Sequence, residues 1–271
     1  MAPDRLDRYR ERIGLPPRRG DVADAALLAE VVARQAAAIP FENLDIQRGR
    51  PASADPDDAY RSLVAGGRGG ICYQLNGLLA AALAALGFRA APIGARVADG
   101  ERWGPPLGHM AVLVAGVPTA AGPRDHLVDA GFGGEILVRP LPASPPADGH
   151  EVRLGGGRYV TERGPRPLSD FEAMAWWHST SPRSRFTGSL VCSIVDGAGR
   201  HTLSGPPRGP YRRTTTGPDG RRSTRELDAR AATEELRRSF GIVDVALPLP
   251  GPWRRPEPAP RGVAGSVTPT A

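Results

Sequence analysis

A cysteine that follows two glycines and opens a helical pattern is the strongest chemical feature of this 271-residue chain. It lies in Arg68-Gly69-Gly70-Ile71-Cys72-Tyr73-Gln74-Leu75-Asn76. From Leu75 the apolar residues Leu75, Leu78, Leu79, Ala82, Leu83 and Leu86 recur at three and four, and Gly87 follows as a stop. Cys72 is therefore expected at the first turn of a buried helix, where unpaired N–H groups and the positive end of the dipole favour a thiolate. The thiolate is the nucleophilic form of cysteine. A cysteine without context is more often a buried structural residue. Here the glycine pair, which lets the chain bend and leaves the sulfur uncrowded, and the helix start favour chemistry.

A thiol nucleophile needs a base, and the base needs an orienting group. Five histidines are available. If 109–114 and 124–129 pair antiparallel about a turn centred on Thr119, His109 and Asp129 become cross-strand neighbours at the edge of the pair. His126 is expected to face solvent, and so are His150, His178 and His201 in loop-like surroundings. Directly after Asp129 comes Ala130-Gly131-Phe132-Gly133-Gly134, whose glycines let backbone N–H groups approach a ligand, phosphate oxygens included. Alone, such a run is more often only a turn. In Ile39-Pro40-Phe41-Glu42-Asn43-Leu44-Asp45 the polar Glu42 and Asn43 lie between apolar neighbours, which suggests that they turn inward. Arg68 is the candidate partner of Glu42, in a charge-assisted pair that would brace the cysteine loop; the alternative is two solvated charges.

The elements that must position these groups follow from the patterning. Residues 1–88 read as helical: Arg5 to Ile13 ending at Gly14, Asp21 to Ile39 with Asp21 or Asp24 as N-cap and Pro40 as breaker, then the cysteine helix. After Phe88 come short β-type runs at 91–97, 109–114, 126–130, 151–154, 158–161, 189–195 and 201–203, separated by Gly and Pro, as in a small antiparallel sheet or barrel. The run from His109 is almost continuously apolar, as in a strand buried on both faces. Residues 204–223 read as a loop or mobile connection. A helix is expected over Glu226 to Phe240, stopped by Gly241. The Pro-rich tail is expected to be poorly ordered from about Pro256.

Composition narrows the classes. A chain 40% hydrophobic and 24% charged is ordinary for a soluble globular protein. No apolar run reaches a membrane span, and the charged N-terminus lacks a signal-peptide core, so a cytoplasmic address is expected. Two cysteines in different kinds of segment argue against a disulfide framework, and no metal site is expected. The net charge of +6 arises entirely from arginine, scattered among acids, and does not point to nucleic acid.

The motifs around Glu42, Cys72 and Asp129, with His109 upstream, resemble those of the arylamine N-acetyltransferases. So do His178-Ser179-Thr180-Ser181-Pro182-Arg183-Ser184-Arg185-Phe186 and the terminal stretch from Arg225-Glu226-Leu227 to Phe240-Gly241-Ile242. Together they run from near residue 8 to about 245. The resemblance implies an α+β fold in three parts: a helical bundle (1–88) carrying the nucleophile, an antiparallel β-barrel (89–203) carrying the histidine and aspartate, and an α/β lid (204–271). It implies a Cys72–His109–Asp129 triad and a ping-pong transfer from acetyl-CoA, through acetyl-cysteine, to an arylamine, hydrazine or hydroxylamine. Acetyl-CoA would be a substrate, with no permanently bound cofactor. Gly131, Phe132 and Gly133 would line the acyl or coenzyme site. Phe41, Phe132 and Phe186 would meet the amine, and Arg68 and Glu42 would support the loop. N–H groups at the start of the cysteine helix would stabilise the tetrahedral oxyanion. The molecule would be a monomer or homodimer without nucleic-acid or membrane partners. Gln74 stands where many bacterial members have Glu.

Three other classes share parts of this pattern. Amide synthases of the same fold take a carrier-bound acyl chain, peptidases use a Cys-His-Asp set for hydrolysis, and a non-catalytic scaffold or basic nucleic-acid binder would need neither donor. The acyl donor separates the first from acetyl transfer.

Overall fold

The structure is a computed structural model that describes residues 1–17, 22–133, 135–144, 146, 148–155 and 157–249. The candidate cap Asp21, Gly134 and the tail from Pro256 lie outside the described residues. The first helix, α1 (Pro3–Ile13), ends on Gly14 in the left-handed conformation, φ +64°. The second, α2 (Ala25–Ala38), is capped by Asp24, whose side chain accepts from the Leu27 N–H. Tyr9 donates to Gln35 at 2.7 Å, and Gln35 donates to the Leu75 carbonyl at 3.0 Å, so one buried polar chain ties both helices to the cysteine helix.

Strand β1 (Phe41–Glu42) and the short helices α3 (Leu44–Gln47) and α4 (Pro56–Ala59) follow, the last continued by a π-helical turn, Tyr60–Ala65. Helix α5 (Cys72–Ala85) then runs through the core, with Leu75, Leu78, Leu79 and Leu83 fully buried. It packs on β2 (Arg89–Asp99) and, past β3 (Arg102–Trp103), on β4 (His109–Val117).

These strands, with β5 (Arg124–Asp129), β6 (Leu137–Pro140), β7 (Glu151–Leu154) and β8 (Gly157–Pro165), form a seven-stranded sheet in the order β6-β5-β4-β2-β8-β7, with β3 on β2. The sheet curls. Arg139 on β6 donates to the Glu151 carbonyl on β7 at 3.2 Å, and Leu127, Leu141, Val152 and Tyr159 meet in one cluster inside. Strand β4 alternates between two cores, Met110, Val112 and Val114 against the helices and Ala111 and Leu113 inside the curl, which explains its unbroken apolar run.

A 3-10 turn (Leu168–Phe171), α6 (Glu172–Thr180) and α7 (Arg185–Gly188) lead to a second antiparallel sheet. It contains β9 (Leu190–Asp196), β10 (Gly199–Gly205), β11 (Tyr211–Thr216) and β12 (Arg222–Leu227) in the order β1-β9-β10-β11-β12. Helix α8 (Ala229–Phe240), capped by Asp228 and stopped by Gly241, covers it. Residues 204–223, expected as a loop, are thus largely a hairpin. Gly217-Pro218-Asp219-Gly220 forms its turn, and Thr-rich arms pair Thr214 with Thr224. The strands of 89–203 divide between two sheets, β9 and β10 belonging to the second. The final helix starts three residues later than expected, because Glu226 and Leu227 pair in β12. No helix among the described residues is long and apolar enough to cross a membrane.

Candidate active site

Cys72 is the first residue of α5. Gln74 accepts from the Ile71 N–H at 3.2 Å and so ties down the helix entry. The preceding glycines have no positive φ; their role is close approach. A Cβ on Gly69 would sit 2.1 Å from the Pro40 carbonyl oxygen, and one on Gly70 would sit 2.6 Å from Gln74 Oε1. The turn is bent instead at Gly67, φ +66°.

The brace expected from Glu42 is present and larger than a pair. Arg68 Nη2 donates to Glu42 Oε1 at 2.8 Å and its Nε donates to the same oxygen at 3.1 Å. Its Nη1 reaches Asp45 and Asp244, each at 3.1 Å. Glu42 also accepts from the N–H groups of Leu44 at 2.6 Å and Gly69 at 3.3 Å. Burial pulls the Arg68 pKa down, but the three carboxylates outweigh it and raise it. Asn43, likewise turned inward, holds the Phe186 and Ser189 carbonyls at 2.8 and 2.7 Å and accepts from the Val191 N–H.

His109 opens β4 and Asp129 closes β5, and His109 Nε2 lies 2.7 Å from Asp129 Oδ2. The register differs from the symmetric one by two residues. Leu113 pairs with Leu127 and Val112 with Val128, with an irregularity between Val114 and Val117. A shift of two leaves side-chain faces unchanged. His109 and Asp129 are therefore diagonal neighbours on the inner face. Asp129 Oδ1 accepts from Asn76 Nδ2 and the Gly131 N–H, both at 2.8 Å. Asn76 also accepts from the Ala130 N–H and donates to the Met110 carbonyl. Burial alone would lower the His109 pKa, but Asp129 and the adjacent Cys72 raise it to about 10. Burial would raise that of Asp129, but His109, Asn76 and Gly131 lower it. Cys72, His109 and Asp129 are all buried. With Nε2 committed to Asp129, Nδ1 is the ring nitrogen left for the sulfur.

Gly131 passes so near α5 that a Cβ would lie 2.9 Å from the Cys72 Cα. The Phe132 ring meets the His109 imidazole edge-on at 5.2 Å, and Gly133, φ +82°, lies under the Phe41 ring. Phe41 in turn meets Phe186 at 5.8 Å, within the cluster that contains Cys72. His109 and Gly131 thus lie directly at Cys72, Asp129 and Phe132 lie against His109, and Phe41, Gly133 and Phe186 form a second group of contacts.

Other groups went unrecognised. Asn76 stands in the cysteine motif, where the sequence pattern alone assigns it no role. The Tyr159 ring packs tilted against His109 at 4.9 Å and brings its buried hydroxyl near Asp129. Its β-type pattern marked a strand and nothing more. His178 is on helix α6, packed on Tyr73 and Phe186, rather than in an exposed loop. His126 is buried rather than exposed, because β5 pairs it with Val114 and its Nδ1 meets the Arg124 carbonyl at 3.1 Å. His201 lies on β10, between Asp196 and Arg213.

Set against known proteins, residues 24–155 and 156–246 match the N-acetyltransferase family. The arylamine N-acetyltransferase of Mycolicibacterium smegmatis is 36% identical over 228 residues, covering 76% of this chain and 81% of that protein. The chain belongs to the arylamine N-acetyltransferase family. Its members are acyltransferases. The solved structure of the Nocardia farcinica member superposes with a TM-score of 0.71 at 32% identity, covering 88% of this chain and 89% of that one. The Mycobacterium marinum member, solved in complex with CoA, gives 0.69 at 26% identity over 88% and 93%.

Proposed function

We propose that this chain transfers an acetyl group from acetyl-CoA, through a thioester on Cys72, to an arylamine, hydrazine or hydroxylamine. The observation that carries this reading is the buried line Cys72–His109–Asp129, in which the imidazole beside the sulfur is held at 2.7 Å by a carboxylate and favoured in its protonated form. The CoA complex of the M. marinum relative supports the donor class.

In the first half-reaction the Cys72 thiolate attacks the thioester carbonyl. The tetrahedral intermediate expels CoA thiolate, which takes a proton from His109 Nδ1. In the second, the amine attacks the acetyl-cysteine and passes a proton to His109, and the C–S bond breaks to return the Cys72 thiolate. Asp129 keeps the ring oriented with its proton on Nε2, while Asn76 and the Gly131 N–H keep Asp129 in place and ionised. N–H groups at the head of α5 face the developing oxyanion in both steps. Gly131, Phe132 and Gly133 line the approach of the donor, and Phe41 and Phe186 supply apolar surface for an aromatic acceptor.

Intact-mass analysis after mixing with acetyl-CoA alone tests the scheme. A gain of about 42 Da on Cys72, discharged by an arylamine or hydrazine and absent in Cys72→Ala, is expected for a covalent acetyl-enzyme. Cys192, whose thiol pKa is pushed up by burial in β9, should stay unmodified. No adduct from protein whose Cys72 still alkylates readily would overturn acetyl-CoA as the donor.

A further inference from the structure

Two backbone carbonyls immediately before His109 are gripped by side chains that the transfer scheme leaves unused. Tyr73 Oη donates to the Leu107 carbonyl at 2.8 Å, and His178 Nε2 lies 3.1 Å from the Gly108 carbonyl. The peptide between them is strained. Leu107 is the one non-glycine residue among those described with a positive φ, +56°, a conformation that a bulky side chain avoids. Such a residue persists only where its surroundings over-determine it, and functional sites are where this recurs.

The grip is built from the site's own parts. Tyr73 follows the nucleophile on α5 and is fully buried. His178 reaches in from α6 and rests on the Tyr73 ring at 6.0 Å and on Phe186 at 5.3 Å. Burial, with His109 and Arg185 nearby, holds the His178 pKa at about 4, against the opposing pull of the Gly108 carbonyl. The ring is therefore neutral near pH 7 and has one N–H to give. Gly108 takes it, and Nδ1 is buried without a hydrogen-bond partner among the described residues. From Cys72 to His109 the connection passes through Tyr73, its hydrogen bond, Leu107 and Gly108, a path with few free torsions.

We propose that Tyr73 and His178 are positioning residues, clamping the Leu107–Gly108 backbone and so fixing where the His109 imidazole stands relative to the Cys72 sulfur. The proposal rests on Cys72 and His109 being nucleophile and base. The alternative is that both rings only fill the core.

The test compares wild type, Tyr73→Phe, His178→Leu and His178→Gln in two assays: single-turnover acetylation by acetyl-CoA, and alkylation of Cys72 by iodoacetamide, which needs no acyl donor. Tyr73→Phe keeps the ring and its packing, so it remains informative if His178→Leu loses stability. Tyr73→Phe and His178→Leu are each expected to slow both reactions about tenfold at saturating reagent, with the KM for acetyl-CoA little changed, as a small misplacement of the base produces. His178→Gln, which can present an amide N–H to the Gly108 carbonyl, should recover most of that loss. Wild-type rates in Tyr73→Phe, or equal losses in the Leu and Gln variants, would overturn the clamp. His109→Asn separates the two levels: unchanged alkylation there sinks the nucleophile–base assignment itself. Slowed alkylation there, beside wild-type rates in Tyr73→Phe, sinks only the clamp.

Discussion

Asp129 has three hydrogen-bond partners among the described residues, the imidazole of His109, the Asn76 amide and the Gly131 N–H, with the Tyr159 hydroxyl close by. A carboxylate so placed stays ionised despite complete burial, and it in turn keeps His109 charged well above the usual value of about 6.5. Stability should record both effects. The raised His109 pKa adds stability that is full below pH 6.5 and fades as pH climbs toward 10. The lowered Asp129 pKa adds stability that is full above the unfolded carboxylate value and fades as pH falls through the folded one. Urea unfolding of wild type against Asp129→Asn across this range should show a difference that is largest between about pH 4 and 6.5 and shrinks on either side. Parallel curves would mean that the pair is not coupled as the geometry indicates.

At the scale of elements, the nucleophile loop depends on glycine for space at positions 69 and 70 and for backbone freedom at position 67. Ala at position 69 drives its Cβ into the Pro40 carbonyl, 2.1 Å away, whereas Ala at position 67 meets nothing within 4 Å and only opposes a φ of +66°. Gly69→Ala should cost more than about 2 kcal/mol in denaturant unfolding. Gly67→Ala should cost about 1 kcal/mol. Equal costs would show that the loop simply shifts to accept either. The cysteine helix, the caps at Asp24 and Gly14 and most strands were legible because each depends on local pattern. The His109–Asp129 juxtaposition was legible although the register differed by two, because side-chain faces repeat with that period. What could not be read depends on distant pairing. Residues 204–223 read as a loop because their Arg, Gly and Pro hide most of a Thr-rich hairpin around Gly217-Pro218-Asp219-Gly220. The burial of His126 and the partial burial of His178 are set by which strand or helix lies over them. Asn76 gains its role only when β4 and β5 arrive beside α5.

Across the whole molecule, Arg68 joins three remote segments: Glu42 and Asp45 near the start, its own loop, and Asp244 near the end of the described chain. The contributions should be unequal. Glu42→Ala leaves a buried guanidinium without its main partner and should cost about 3–5 kcal/mol. Asp244→Ala, at a half-exposed carboxylate, should cost no more than about 1 kcal/mol and less in high salt. A larger loss at Asp244 would make the C-terminal contact the principal one. The same wiring has a consequence for biosynthesis. Helices α1 and α2 and the cysteine leave the ribosome early, yet β1 pairs with β9, and Arg68 waits for a carboxylate 176 residues downstream. A nascent chain ending before β9 therefore carries Cys72 on an unfinished loop, without the His178 side chain from α6 in place until that helix has emerged. The loop that carries the sulfur is therefore completed only after β9 and the segment bearing Asp244 have been made.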